Sequence, residues 1–258
     1  MNDLSEDLKD QIPIINIDRK GLSNNSYMKC HKIIRIIEQY IKYKIRSNDL
    51  LITNLELTEE KFINITKPNN LQTFYTKKVF HNKYGGILSF DIYEQSNYFI
   101  LNQDTLDIPI IESSQNNFNY FGVKLHKIGD VIQINTPNKI FLNEIHIGET
   151  YLQDYLLQKQ FSEGFSLHLH DSYHYYQPLN NNCNGYIILA KPINLNQYEI
   201  AALKIPYGFA ITISCYIHHS DATLNGEYLI AYGLTKIQNY HKFYLHNINN
   251  DMIKIKLK

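Results

Sequence analysis

Tryptophan is absent from the 258-residue chain, and cysteine is rare. The cysteines Cys30, Cys183 and Cys215 lie far apart and show no C-x-x-C spacing, so the sequence predicts neither a disulfide framework nor a zinc knuckle. An excess of charge is also absent, because 25 Lys and Arg residues balance 25 Asp and Glu residues. Nucleic acids and anionic membranes attract basic proteins, so neither is an expected partner.

Long apolar segments are absent as well. No apolar run approaches the roughly 20 residues that a membrane-spanning helix needs, and the polar N-terminus lacks the apolar core of a signal peptide. We therefore expect a soluble, cytoplasmic protein. Hydrophobic residues make up 44% of the chain and charged residues 19%, a composition that supports a sizeable core and a globular fold.

The N-terminal part, residues 1–70, is expected to form an extension that contains one amphipathic helix. Between Ser26 and Arg46, apolar residues recur at steps of three and four with charged residues between them. Asn24, Asn25 and Ser26 are suitable N-cap residues. This pattern predicts a helix that packs on the outside of a sheet.

From Leu71 to Lys258 the helical period gives way to short runs of β-branched and aromatic residues, separated by turn residues. We predict an all-β barrel or sandwich for residues 71–258. The predicted strands lie near Thr73–Phe80, Gly86–Tyr93, Tyr98–Asn102, Asn119–His126, Val131–Asn135, Lys139–Ile147, Gly164–His170, Gly185–Lys191, Tyr198–Lys204, Phe209–Ile217, Glu227–Leu234 and Met252–Leu257.

Histidines in the C-terminal half are the main functional signal. In a strand, alternate residues share a face, so His168 and His170 are expected to point together into a polar cavity and bind one cation. A third ligand is expected from His174 or from a partner strand. The adjacent residues His218 and His219 must point to opposite faces, so at most one joins the site, and we favour His219.

These motifs resemble those of the cupin superfamily, whose first motif has a Gly, then H-x-H, then a Glu. Gly164, His168 and His170 fit that motif, while the Glu position falls on His174 or Tyr175. The turn of the second cupin motif, P-x-G, is matched by Pro206 and Gly208, although the first histidine after it is His218.

A closer resemblance is to the cupins related to 4-deoxy-uronate isomerases. Their H-x-H-D and I-H-S motifs are similar to the segments 168–171 and 217–220 of this chain, and the resemblance covers residues 164–233. It implies a cupin-like double-stranded β-helix, or jelly-roll barrel, that binds a divalent metal and forms a homodimer.

The expected cofactor is a divalent metal (Fe, Mn, Ni or Zn), because spacing alone does not select among them. The candidate ligands are His168, His170, His174, His218 and His219, and the candidate catalytic residues are Tyr175, Lys204 and Asp221, with Tyr176 as a further acid/base group near the site. If the metal acts as a Lewis acid, the protein is expected to be an isomerase, epimerase or lyase that acts on a small sugar or keto acid. The alternatives are an Fe(II) dioxygenase and a non-catalytic jelly-roll protein that binds carbohydrate or has a structural role.

Overall fold

The structure of the protein, a computed structural model, describes residues 18–37, 41–45, 50–53, 65–84, 95–134, 140–233 and 241–258. Most of the regular structure in these ranges is β. The strands are β1 (Asp18–Lys20), β2 (Tyr27–Ile37), β3 (Ile41–Ile45), β4 (Leu50–Thr53), β5 (Gln72–Tyr75), β6 (Lys77–Tyr84), β7 (Gln95–Leu101), β8 (Thr105–Ile108), β9 (Ile110–Ile111), β10 (Val123–Lys127), β11 (Val131–Ile134), β12 (Ile140–Ile147), β13 (Ser166–Leu169), β14 (His174–Pro178), β15 (Asn184–Gly185), β16 (Ile187–Asn194), β17 (Gln197–Leu203), β18 (Phe209–Ile213), β19 (His218–Ser220), β20 (Leu224–Gly233), β21 (His241–Asn247) and β22 (Lys254–Leu257).

Helical structure in the described ranges is limited to two short elements. Helix α1 spans Gln115–Tyr120 and is capped by the Ser114 side chain, which accepts a hydrogen bond from the Asn117 N–H. A π-helical turn spans Leu152–Leu156. Among the described residues, no helix combines the length and the apolar surface that are needed to span a membrane.

Two large sheets make up most of the fold. The first sheet has the strand order β1-β2-β12-β20-β14-β18-β10, and β15 also pairs with β20. The second sheet has the order β5-β17-β16-β19-β13-β21-β7-β6, and β9 also pairs with β17. Two smaller sheets, β11-β3-β4 and β22-β8, complete the described strands. The arrangement is barrel-like and nearly closed, so the prediction of a mostly β protein is confirmed in this coarser form.

One buried hydrophobic cluster contains residues of both large sheets. Ile145 and Ile230 from the first sheet belong to the same buried cluster as Leu189, Ile200 and Leu245 from the second. Each is almost fully buried, and burial of such a side chain contributes about 1.5–3 kcal/mol. The inner faces of the sheets are therefore the place where polar groups can be held away from water.

The predicted helix from Ser26 to Arg46 is wrong, because residues 27–37 and 41–45 form strands β2 and β3. Strand β2 pairs with β12, and two register irregularities leave Ile34 and His31 as extra residues on β2. Each extra residue shifts the two-residue alternation of a strand. The apolar positions therefore recur at steps that imitate a helix, while the many isoleucines suit a strand. The boundary between residues 70 and 71 stays a prediction.

Most strands predicted after residue 71 correspond to observed strands, with two informative differences. The predicted strand Phe209–Ile217 ends early, because β18 in the first sheet stops at Ile213 and residues 214–217 connect it to β19 in the second sheet. Strands β8, β9, β14 and β21 were not predicted. The predicted strand Gly86–Tyr93 lies outside the described residues.

The turn predicted at Pro206–Gly208 is present and leads directly into β18. The Phe209 N–H donates to the Pro206 carbonyl at 3.0 Å, and Gly208 has φ +89°. A positive φ at the third residue is the geometry of a type II turn, which strongly favours glycine there.

We expect the stability of the fold to depend on pH because of His126, which lies at the edge of the first sheet. Its Nε2 lies 2.8 Å from Thr212 Oγ1, and burial lowers its pKa to about 4, below the value of about 6.5 expected in the unfolded chain. Between these values the unfolded chain binds a proton that the folded chain does not, so acid destabilises the fold. From pH 7 to pH 5 we expect the wild type to lose about 1–2 kcal/mol more free energy of unfolding than His126→Gln. Chemical denaturation measures this difference, and parallel pH profiles of the two proteins would contradict it.

Candidate metal centre

The candidate site lies where two connections cross between the large sheets. Residues 170–173 lead from β13 in the second sheet to β14 in the first, and residues 214–217 lead from β18 in the first sheet to β19 in the second. The connections are joined to each other, because the Tyr216 N–H donates to the His170 carbonyl at 2.8 Å and the Cys215 thiol donates to the Asp171 carbonyl at 3.2 Å. Their geometry is thus set by both sheets together.

Three histidines meet at this crossing. His170 lies in the first connection, His174 is the first residue of β14, and His219 is the middle residue of β19. One ring nitrogen from each lies within 4.8 Å of the other two, and all three side chains are buried. The Nε2 atoms of His170 and His219 are 3.4 Å apart, and His219 Nε2 is 3.1 Å from His174 Nδ1. This spacing could accommodate one metal ion.

Hydrogen bonds to carbonyl groups fix the tautomers of two of these rings. His170 Nδ1 lies 2.9 Å from the Ser172 carbonyl oxygen, and His219 Nδ1 lies 2.8 Å from the Ile217 carbonyl oxygen. A carbonyl oxygen only accepts, so each Nδ1 carries the proton and each neutral ring presents a lone pair at Nε2. The two lone pairs then face each other across 3.4 Å. This arrangement is repulsive unless a cation lies between them.

Electrostatics favour the neutral, metal-binding form of the three rings. Burial lowers the pKa of His170 and His174 well below the ordinary value, and the neighbouring imidazoles lower both further. Burial also lowers the pKa of His219. Because a protonated imidazole cannot coordinate a metal, these shifts keep the donor nitrogens available in mildly acidic solution.

A carboxylate and two tyrosines adjoin the three histidines. Asp221 Oδ2 accepts hydrogen bonds from the hydroxyls of Tyr176 and Tyr232, each at 3.3 Å. The Tyr176 hydroxyl is also 3.3 Å from His174 Nδ1, and the rings of Tyr232 and His174 are 4.5 Å apart. Burial raises the pKa of both tyrosines, and the charge of Asp221 raises it further. Both hydroxyls therefore retain their protons and act as donors.

His168 and His218 lie outside this group of three. His168 is the register partner of His219 on the same face, but its ring centroid is 6.0 Å from that of His219, and its Nε2 is 3.4 Å from Ser166 Oγ. His218 points to the opposite face, where its ring lies 5.2 Å from that of Tyr198 and 5.6 Å from that of Phe243. Strand alternation therefore separates the two adjacent histidines, and His219 is the one at the site.

Of the candidate catalytic residues, only Asp221 is found beside the three histidines. Tyr175 belongs to a separate apolar cluster with Ile140 and Leu229, and its hydroxyl donates to Gln177 Oε1. Alternation along β14 points it away from the side that carries His174. Lys204 is exposed beyond β17, and no described contact joins it to the three histidines. These positions do not support a catalytic role for Tyr175 or Lys204.

Tyr232 is a member of the site that the sequence did not indicate. It is the register partner of His174 in the pairing of β14 with β20. Only knowledge of that pairing could have identified it, because the two residues are far apart in the sequence.

No protein-family model, no curated protein and no solved structure matches this chain.

Proposed function

We propose that the protein is a metal-dependent enzyme that holds one divalent cation on His170, His174 and His219 and acts on a small polar metabolite. The observation that carries the proposal is the pair of opposed Nε2 lone pairs of His170 and His219, 3.4 Å apart. The carbonyl groups of Ser172 and Ile217 orient these rings by accepting hydrogen bonds from Nδ1, and metal-ligating histidines are commonly oriented by such a bond from the other ring nitrogen.

The donor set suits Lewis-acid chemistry. Three neutral imidazoles bind Fe, Mn, Ni or Zn and leave the full positive charge on the metal. A metal held by His170, His174 and His219 would supply Lewis-acid chemistry at a carbonyl group of the substrate. We therefore propose isomerase, epimerase or lyase chemistry on a sugar or a keto acid.

Hydrogen-bond donors for such a reaction are available from this chain. The hydroxyls of Tyr176 and Tyr232 stay protonated, and both share Asp221 as their acceptor. In the proposed reaction the Tyr176 hydroxyl, which also approaches His174, donates a hydrogen bond to the substrate oxygen on which negative charge develops, and Asp221 orients the two tyrosine side chains.

The cupin identity is part of this proposal. A nearly closed β-barrel with histidines on its inner face is compatible with the cupin-like jelly roll, or double-stranded β-helix, that the sequence motifs imply. The ligand set differs from the motif, because His170, His174 and His219 converge while His168 lies beside them. The homodimer implied by the resemblance belongs to the proposal too.

A second candidate is an Fe(II) dioxygenase, because the same three neutral nitrogen donors suit ferrous iron. The two reactions differ in their need for oxygen. Turnover of a sugar or keto acid under strict anaerobiosis would support the Lewis-acid enzyme and exclude the dioxygenase.

Elemental analysis of protein purified without a histidine tag tests the proposed function. We expect about one equivalent of a transition metal per chain, and we expect its removal by a chelator to lower the melting temperature, since a ligand that binds only the folded state stabilises it. A metal-free protein whose melting temperature does not respond to added Fe, Mn, Ni or Zn would contradict the proposal. That result would favour the non-catalytic jelly-roll binding protein.

A further inference from the structure

An open groove lies between the π-helical turn and strand β22. Its volume is about 510 Å³, within the range of about 300–1,000 Å³ that is usual for binding sites. Residues 153 and 157–159 form one wall of the groove, and residues 251–252 and 254–256 form the other. None of the three histidines lines it, so the groove is separate from the metal centre.

Strand β22 brings an unpaired edge to this groove. In the part of the chain that the structure describes, β22 pairs with β8 alone. The Lys254 N–H donates to the Asp104 carbonyl, and the Lys258 N–H donates to the Ile108 carbonyl, each at 3.0 Å. Successive residues of a strand turn their backbone groups to opposite edges, so the N–H and C=O of Ile255 face away from β8. Ile255 itself lines the groove, which therefore adjoins the unpaired edge.

Alternation along β22 gives a strand added at this edge two different environments. Lys254 and Lys256 are exposed, whereas the intervening Ile255 is only 5% exposed. Alternate side chains of the added strand would therefore lie beside the two lysines and beside Ile255. Leu157 and Met252 supply further apolar side chains to the groove.

The groove carries positive charge, although the chain as a whole has no net charge. Three lysines line it together with one acidic residue, Asp251. Asp251 Oδ1 accepts a hydrogen bond from Lys159 Nζ at 3.0 Å, and this pair is neutral. None of the ion pairs within the described ranges involves Lys254 or Lys256. The groove therefore retains two positive charges on the strand that has the unpaired edge.

We propose that this groove binds an extended acidic segment of another protein, which pairs with the unpaired edge of β22 as an added strand. Main-chain hydrogen bonds to Ile255 set the register of the segment, and side chains at alternate positions give specificity. Its acidic side chains lie beside Lys254 and Lys256, where pairs of opposite charge stabilise the added strand. Its intervening apolar side chains pack on Leu157, Met252 and Ile255. This interaction goes beyond the proposed enzyme function and does not depend on it.

Fluorescence anisotropy of the full chain with a labelled peptide of alternating aspartate and valine residues tests the proposal. We expect saturable binding, and we expect Lys254→Glu/Lys256→Glu to weaken it by about tenfold or more, because like charges would then face each other. The matched control is Lys29→Glu/Lys127→Glu, which reverses two exposed lysines of the first sheet and should leave the affinity unchanged. A peptide of alternating lysine and valine residues should not bind.

A methylated peptide separates strand addition from simple attraction between charges. It has the same alternating aspartate and valine sequence, but N-methyl groups remove its backbone N–H donors. We expect it to bind about tenfold more weakly or worse than the unmodified peptide, because it cannot form the hydrogen bonds of an added strand. Because this comparison uses the unaltered protein, it does not depend on the folding of any variant.

Three results would overturn the inference: no binding by the wild type, equal weakening in the control variant, and equal binding of the methylated peptide. A fourth concerns the occupant. If light scattering shows that the wild type is a dimer and that Lys254→Glu/Lys256→Glu is a monomer, the groove binds a second copy of this chain, and the assignment to a separate acidic partner is wrong. The metal content of the protein is unaffected by these outcomes, so the proposed function is tested separately.

Discussion

Replacement of His219 by alanine is expected to reduce the bound metal from about one equivalent per chain to below about a tenth. His219 Nε2 is the central donor of the group, 3.4 Å from His170 Nε2 and 3.1 Å from His174 Nδ1. Its removal leaves two nitrogens, and a structural or catalytic site needs at least three protein ligands for tight binding. Elemental analysis after dialysis measures the effect, and His170→Ala and His174→Ala should behave in the same way.

The matched control is His168→Ala, which removes another imidazole from the same inner face. His168 is the register partner of His219, but it is not one of the three histidines that converge. We expect this variant to retain its metal. Equal metal loss in His168→Ala and His219→Ala would show that the sequence motif identified the ligands and that the geometry described above did not.

Replacement of Phe99 by alanine is expected to lower the free energy of unfolding by about 3–5 kcal/mol. Phe99 is 0% exposed and its ring stacks on Phe243 at 4.5 Å, with the ring of Tyr198 at 4.9 Å. Alanine would lose these contacts and leave a cavity between β7, β17 and β21. Urea denaturation monitored by circular dichroism measures the loss.

The control for Phe99→Ala is Tyr75→Ala, which removes an aromatic ring from the surface. Tyr75 lies on β5 of the same sheet and is 69% exposed, with one long hydrogen bond from Gln197. We expect a change within about 0.5 kcal/mol. If Phe99→Ala lowers the free energy of unfolding as little as Tyr75→Ala does, the packing of Phe99 described above is contradicted.

The sequence predicted part of the site because strand alternation is a local property. It placed His218 and His219 on opposite faces, and the structure has them so. Strand alternation does not extend from His168 to His170, because β13 ends at Leu169 and the chain then turns toward the first sheet. The turn carries His170 over His174, where the two rings stack at 3.9 Å.

The remaining differences come from tertiary pairing, which local patterns do not contain. Two extra residues in β2 concealed its alternation and produced the spacing of a helix. Tyr232 reaches the site on β20, which pairs with β14 although the two strands are distant in sequence. The register between such strands is set by the assembled core, so a single sequence could not predict that Tyr232 lies beside His174.

The most direct test of the metal site is an anomalous difference map from crystals of the protein, recorded at the absorption edge of the metal found by elemental analysis. We predict one peak about 2.0–2.2 Å from His170 Nε2, from His219 Nε2 and from a ring nitrogen of His174. A peak bound by His168 or His218 in place of these three, or no peak in crystals soaked in the metal, would contradict the account.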